Sequence, residues 1–428
     1  MKHGGHIVRS MSWISTALHH LPELVLLCAL LASLAVVPVA SAQKPKVRTI
    51  TAFIRLDPAQ YKQQIADTLT MLRNAQARFQ LASFEVETIR IATQPFPEYA
   101  NGMSKQDALA FFHDLDNLAK QENFILGIGP ALMSEKDDPA QAQLLAEILS
   151  LTSSTHGSVV VAGDDGVHWK AVQAAAQVMK YLEDHTDHSL GNFRFAAIAN
   201  VPAYAPFFPA AFHQGLGHQF SISLESANIV AATMAVKRDP EATRQALIAE
   251  LGAHARAAED IASKIDHDTG WTYMGIDLSP APFKEASIAS ATAGFSGGRF
   301  GTSGTLTAAA IITSALRDIA IKKVGFSGLM LPVMEDTRLS QLWTEGALSL
   351  DQLLAYSAVC GTGLDTVPLP GDVTMDQLAR IIGDVATLSA KLSKPLTARL
   401  LPVAGGKPGD LTKFDDPNLI NTVLQPLP

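Results

Sequence analysis

GSVVVAGDDGVHWKAVQAAAQVMKYLEDHTDHSLGNFRFAAIANV, residues 157–201, is the stretch that decides the fold class. It opens on a short, continuous apolar run of the buried-strand type, and residues 167–185 then repeat apolar side chains at helical spacing. Residues 192–201 form a second strand candidate. Strand, helix and strand thus succeed one another over short connections, as in the repeating unit of a parallel sheet.

The same alternation extends outward in both directions. VRTITAFIRL (47–56) is β-branched and alternating, and predicts a strand followed by a helix over about 58–79 with Asp57 as its N-cap. FEVETIRIA (84–92) and FILGIGPAL (124–132) predict strands, and helices are expected from Lys105 to Glu122 behind Ser104 and from Pro139 to Leu151 behind Asp138. Downstream, QFSISLES (219–226), TYMGIDLS (272–279), VGFSGLMLPV (324–333) and TARLLPVAG (397–405) are further strand candidates. Helices are expected over about 240–265, 305–321 and 375–392. Repeated units of this kind force an α/β fold with a mostly parallel sheet, open or closed into a barrel, with ligands at strand ends and loops. No linker, low-complexity tract or short repeat interrupts the pattern, so one domain over 43–428 is expected.

The bulk properties agree with a large buried core: 428 residues, 47% hydrophobic and 17% charged. The N-terminus is a separate matter. Lys2 and Arg9 precede the apolar run LVLLCALLASLAVVPVA, which ends in Ala40-Ser41-Ala42, the pattern of a cleaved secretory leader over 1–42 or of a retained anchor. This predicts a secreted or periplasmic chain, in contact with membrane only if the leader stays. Without the leader 31 basic and 40 acidic side chains remain, a net charge of −9, and no basic run marks a nucleic-acid surface. Cys360 would then be the only cysteine, which excludes an internal disulfide.

Four stretches rich in Gly, Pro, Asp and Ser follow strand candidates. In GIDLSPAP (275–282), Asp277 sits at a strand end, either as an acid, base or cation ligand or as the cap of its own turn. In GFSGGRFGTSGT (294–305), Arg299 with the backbone of Gly297, Gly298 and Gly301 could clamp a carboxylate or phosphate. Neither a Walker loop nor a dinucleotide turn is present. In LMLPVMEDTRL (329–339), Glu335 and Asp336 could bind a hard divalent cation, or Asp336 could cap the next helix. In SAVCGTGLDTVPLPGD (357–372), Cys360 is a candidate nucleophile between backbone made approachable by Gly361 and Gly363, with Asp365 and Asp372 behind it. The competing reading of Cys360 is a packed, inert thiol. His213, in FFPAAFHQGLGHQF, is the best-placed histidine for proton transfer, and no zinc spacing surrounds it. No cofactor is evident.

VRTITAFIRL, GIDLSPAP, GFSGLMLPVMEDTRL (325–339), VCGTGLDTVPLPGD (359–372) and KPLTARLLPVAGGKPGD (394–410), in that order, resemble the uncharacterised family called domain of unknown function 711, over about residues 46–425. The resemblance implies a pyruvate formate-lyase-like ten-stranded α/β barrel, two parallel halves set antiparallel around a finger loop. By that analogy AVCGTGLDTV (358–367) is the finger and Cys360 its tip. The glycyl radical enzymes of that fold carry a glycine near the C-terminus in an Arg-Val-x-Gly-aromatic context, which PLTARLLPVAGGKPGDLTKF (395–414) lacks, so radical chemistry is not expected.

Together these readings predict an exported, non-radical enzyme of hydrolase or lyase type, acting on a small anionic metabolite in a barrel-interior pocket. The alternative is an exported small-molecule binding protein without turnover. A homo-oligomer is compatible with either.

Overall fold

The computed structural model describes Met1, residues 44–236 and residues 239–427, so beyond Met1 the expected leader lies outside the described residues. No described helix is long and apolar enough to cross a membrane. The chain from Lys44 onward forms one unit, a mixed α/β structure around a ten-stranded, mostly parallel sheet.

Five strands run the same way: β1 (Lys46–Ile54), β2 (Val86–Thr93), β3 (Ile125–Pro130), β4 (Thr155–Gly163) and, after the two-residue β5 (Gly166–Val167) that folds back on β4, β6 (Phe195–Ala199). Helical crossovers join them: α1 (Tyr61–Leu81), the single turn α2 (Pro97–Ala100) with α3 (Lys105–Glu122), α4 (Ala140–Leu151) and α5 (Trp169–His185). Parallel neighbours need such connections, because a short hairpin can join only antiparallel strands.

The direction then reverses at both edges. β7 (Gln219–Glu225) lies antiparallel to β1, with Ile50 opposite Ile222, and β8 (Thr272–Asp277) lies parallel to β7. α6 (Ala227–Val236) and α7 (Pro240–Thr269) separate those two strands. At the other edge β10 (Leu396–Val403) lies antiparallel to β6, and β9 (Gly363–Pro370) parallel to β10. Between β8 and β9 come α8 (Ile288–Ser296), α9 (Thr305–Asp318), α10 (Thr337–Thr344) and α11 (Leu350–Tyr356), and α12 (Met375–Leu392) leads from β9 to β10.

One irregular segment touches both edges of the sheet. Ile276 of β8 donates to Lys322 O at 2.9 Å and accepts from Val324 N at 3.1 Å, while Val333 N donates to Asp365 O of β9 at 3.1 Å. VGFSGLMLPV was expected as a regular strand. It makes only isolated bridges, because Gly325 and Ser327 take positive φ and bend the backbone between its two contacts.

Two expectations need correcting at element level. SAVCGTGLDTVPLPGD was read as a loop, yet Gly363–Pro370 is the fully buried strand β9; its prolines are tolerated at an outer position, where a strand with one bonded neighbour needs fewer N–H donors. The first helix begins at Tyr61 rather than at Pro58, and Asp57 instead holds the preceding turn by accepting from Ala59 N at 2.9 Å. Lys105–Glu122 behind Ser104 and Met375–Leu392 behind Thr374 have the expected bounds, since each starts on a hydroxyl that accepts from the N3 amide.

Candidate functional site

A cavity of about 670 Å³ lies among the strands. Its wall draws on β1, β2, β4, β7, β8, β9 and β10, and on the segments around Pro206–Phe208 and Met330–Glu335. Side chains alternate across a strand, so β2 buries Ile89 and Ile91 on one face and presents Thr88 and Arg90 on the other, while a register shift between Val47 and Thr49 of β1 interrupts the alternation at Arg48.

Charge is threaded through this wall in a chain. The Asp365 carboxylate accepts from Arg399 Nε at 2.7 Å, and the same guanidinium binds Glu335. Glu335 also accepts from Arg48 at 3.1 Å, and Arg48 reaches Glu225 at 3.3 Å. Glu87 adds a second negative charge near Glu225, and Lys46 pairs with Glu87 at 3.3 Å and with Glu85 at 3.0 Å. Arg399, Glu335 and Asp365 are all nearly sealed from solvent, so each carboxylate depends on its guanidinium. Burial pushes Asp365 up, against the pull of Arg399, and raises Glu225 to about 7, against that of Arg48. Burial opposes the charge on Arg48 as well, but Glu335 and Glu225 outweigh it and leave that guanidinium above its ordinary value.

Four phenylalanines, Phe193, Phe207, Phe208 and Phe283, complete the wall. Arg399 stands over the rings of Phe193, at 4.9 Å, and Phe207, at 5.6 Å. Arg90 stands over Phe208 at 5.1 Å, and His156 meets the same ring edge-on at 5.5 Å. Burial and then Arg48 lower Arg90 to about 9, and burial followed by Arg194 and Arg90 holds His156 well below its usual range, so this imidazole is neutral near pH 7.

The structure brings together part of what the sequence singled out. Asp277, Glu335 and Asp365 line this one cavity. Asp277 is nevertheless occupied with its own surroundings: it accepts from Ser279 N and Oγ, Phe326 N and Ser327 N, all at 3.0 Å or less. It therefore hangs the 325–328 turn from the end of β8, the capping role weighed for it. Asp336, adjacent in sequence to Glu335, is turned away. It accepts from Arg338 N and Leu339 N at the start of α10 and from Ile288 N, Ala289 N and Ser287 Oγ at the start of α8. The two carboxylates expected to share a cation thus have separate partners, and no described cluster of His, Cys, Asp or Glu is arranged to hold a metal ion.

The remaining candidates lie elsewhere. Arg299 and Gly298 are exposed, Gly297 closes the last turn of α8, and Gly301 N donates to Thr305 Oγ1, so this loop contributes nothing to the cavity wall. Asp372 is exposed, and Thr374 rather than Asp372 caps α12. His213 is sealed from solvent, bonded through Nε2 to Gln219 at 2.9 Å and packed on Tyr204, and it is absent from the wall. Cys360 is fully buried in the turn that ends α11, where its amide donates to Tyr356 O at 2.8 Å. Its neighbour Gly361 lies against Gly328 so tightly that a Cβ would come within 2.5 Å of the Gly328 Cα. Gly363 similarly packs on Thr397. Cys360 borders a second cavity of about 800 Å³ together with Lys394, Lys323 and Arg317, separate from the first. There Lys394 donates to the carbonyls of Ser357, Ala358 and Cys360, and Lys323 to those of Arg317 and Ile319, so both lysines cap helix ends.

Arg48, Arg90, His156 and Arg399 were not anticipated. Their signal was available: a charged or basic residue inside an apolar strand, as in VRTIT, TIRIA, THGSVVV and TARLL.

Residues 39–416 match the family model described as Uncharacterised ACR (DUF711). A UPF0210 protein of Pyrobaculum aerophilum is 32% identical over 397 residues, covering 85% of this chain and 86% of that one. UPF0210 proteins of Desulforudis audaxviator, at 31%, and Listeria monocytogenes, at 28%, each match 76% of both chains. These relatives correct the expected function. The shared name, spread over archaeal and bacterial chains, carries no activity, so neither export nor hydrolase or lyase turnover is inherited from the family, and the exported enzyme and exported binding protein are both withdrawn.

Proposed function

Because the chain belongs to the DUF711 family, whose name assigns no reaction, we propose from the geometry alone that its work is to bind a small molecule in the cavity among the strands. The observation that carries this is the buried chain from Asp365 through Arg399, Glu335 and Arg48 to Glu225, built along the wall of a cavity of about 670 Å³. Buried ion pairs give little net stability compared with apolar packing of the same volume, because desolvation offsets their attraction. A core that needed only to be stable would fill this space with Leu and Phe. Fixed charges around a hollow of ligand size instead suit recognition of a polar molecule by a preorganised wall.

The sheet is read as a closed barrel of the pyruvate formate-lyase-like kind. Supporting this, β1 to β4 and β6 run one way, β7 to β10 run the other, and the 322–334 segment bonds to both β8 and β9. In such a barrel the cavity is the lumen.

The test is to fill the hollow from a small residue on its wall. Ser223 lines it from β7, and Ser223→Trp places a large ring inside. Thermal unfolding of the full chain is followed with a panel of amino acids, keto acids, sugar phosphates and nucleosides. The wild type is expected to be stabilised by at least one class and Ser223→Trp by none. Equal stabilisation of both proteins, or of neither, refutes the reading.

A further inference from the structure

The basic groups around the cavity are not equivalent. Arg48 and Arg399 each stand between two carboxylates. Arg194 is spent on the end of α4, donating to Leu149 O at 2.9 Å and Thr155 O at 3.2 Å. Arg90 differs. Its Nε donates to Thr88 Oγ1 at 3.1 Å and its plane rests on Phe208, and among the described residues no carboxylate pairs with it. Among the described residues the two terminal nitrogens, the fork that grips an oxyanion, have no protein acceptor.

Lys46, at the far end of the chain, is matched as well, by Glu85 at 3.0 Å and Glu87 at 3.3 Å. Among the described residues Arg90 has no carboxylate so close. Across the same phenylalanine, His156 Nδ1 is buried and has no partner. A guanidinium fork and a ring nitrogen thus both stand against Phe208, in a wall that also carries Thr88, Ser153 and Ser154.

We propose that Arg90, with His156 beside it, holds the acid group, carboxylate or phosphate, of the molecule bound in this cavity; the inference rests on the reading of the cavity as a ligand site. An oxyanion supplies the missing counter-charge, and Phe208 keeps the guanidinium face-on and partly desolvated, where a charge-assisted bond is strongest. A cationic ligand group is disfavoured beside Arg90, whose own charge repels it.

Sodium phosphate and sodium pyruvate are titrated against the full chain at constant ionic strength set with sodium chloride, and the melting temperature is read for wild type, Arg90→Gln, Arg90→Lys and Ser223→Trp. At least one of the two anions is expected to stabilise the wild type saturably, and which one does so tells phosphate from carboxylate. Arg90→Gln is expected to weaken that binding by about tenfold to a hundredfold, as for loss of a charge-assisted pair, with Arg90→Lys between. Arg90→Gln removes an unpaired charge, so the free variant should fold and melt no lower than wild type. Binding unchanged in Arg90→Gln but abolished in Ser223→Trp overturns the Arg90 assignment while leaving the cavity reading intact. Binding unchanged in both overturns both, and the absence of saturable stabilisation by either anion overturns the proposal.

Discussion

Arg399→Met is the sharpest perturbation of the charged wall. The side chain keeps much of its length and its contact with Phe193 and Phe207, but the charge that serves both Glu335 and Asp365 is gone. Those carboxylates are 4% and 1% exposed, so water cannot replace the guanidinium. Removing one partner of a buried pair costs about 3–5 kcal/mol; Asp365 is left without a cation while Glu335 keeps Arg48, so a loss within that range is expected at neutral pH. That is a large share of the roughly 5–15 kcal/mol by which folded domains are stable. Urea unfolding of both proteins between about pH 5 and pH 8 measures it.

The pH arm has a definite sign. Burial already raises Asp365, and losing Arg399 raises it further, so the folded variant takes up protons more readily than its unfolded chain. Its deficit is therefore largest at high pH and shrinks as the pH falls through the raised values. Adding Glu335→Gln and Asp365→Asn should recover most of the loss at neutral pH. A deficit under about 1 kcal/mol, one that does not narrow in acid, or a triple variant no better than the single one would refute the dependence of these carboxylates on Arg399.

Two further outcomes follow from single carboxylates. Asp336→Ala removes the cap of α10 and the acceptor for the first amides of α8 at a fully buried site, so a loss of about 2–4 kcal/mol is expected in denaturant unfolding, and a loss within experimental error would show that neither helix start relies on it. Glu225, raised from 4.5 to about 7 by burial, contributes stability that is present below its unfolded value and lost as pH rises through about 7; Glu225→Gln should flatten the stability profile between about pH 4.5 and pH 7, and an unchanged profile would place that titration elsewhere.

How much of this was legible in the sequence depended on what each signal reports. Local signals served well: Ser104 and Thr374 mark helix starts through their hydroxyls, and the run from Gly157 to Val201 reads as strand, helix and strand because period and burial are local properties. β9 was missed because Gly363, Pro368 and Pro370 carry loop chemistry, and only its place beside β10 makes it a strand. Pairing of that kind is non-local. The direction reversals at β7 and β10 are hidden for the same reason.

The site was harder to see for a different reason. Glycine, proline and aspartate after a strand point equally to a ligand loop and to a self-satisfied turn, and Asp277 and Asp336 turned out to spend their oxygens on backbone amides. Arginine in the middle of an apolar strand has fewer innocent explanations, because a guanidinium drawn out of water is paired, capped, matched by a ligand or left half-buried, as Arg90 is. Arg399 and Arg48 take the first course, Arg194 the second, and Arg90 has neither. The informative feature of VETIRIAT was thus not its strand pattern but the arginine inside it, and the same rule makes the cation without a carboxylate partner, rather than the cysteine, the place to look for a ligand.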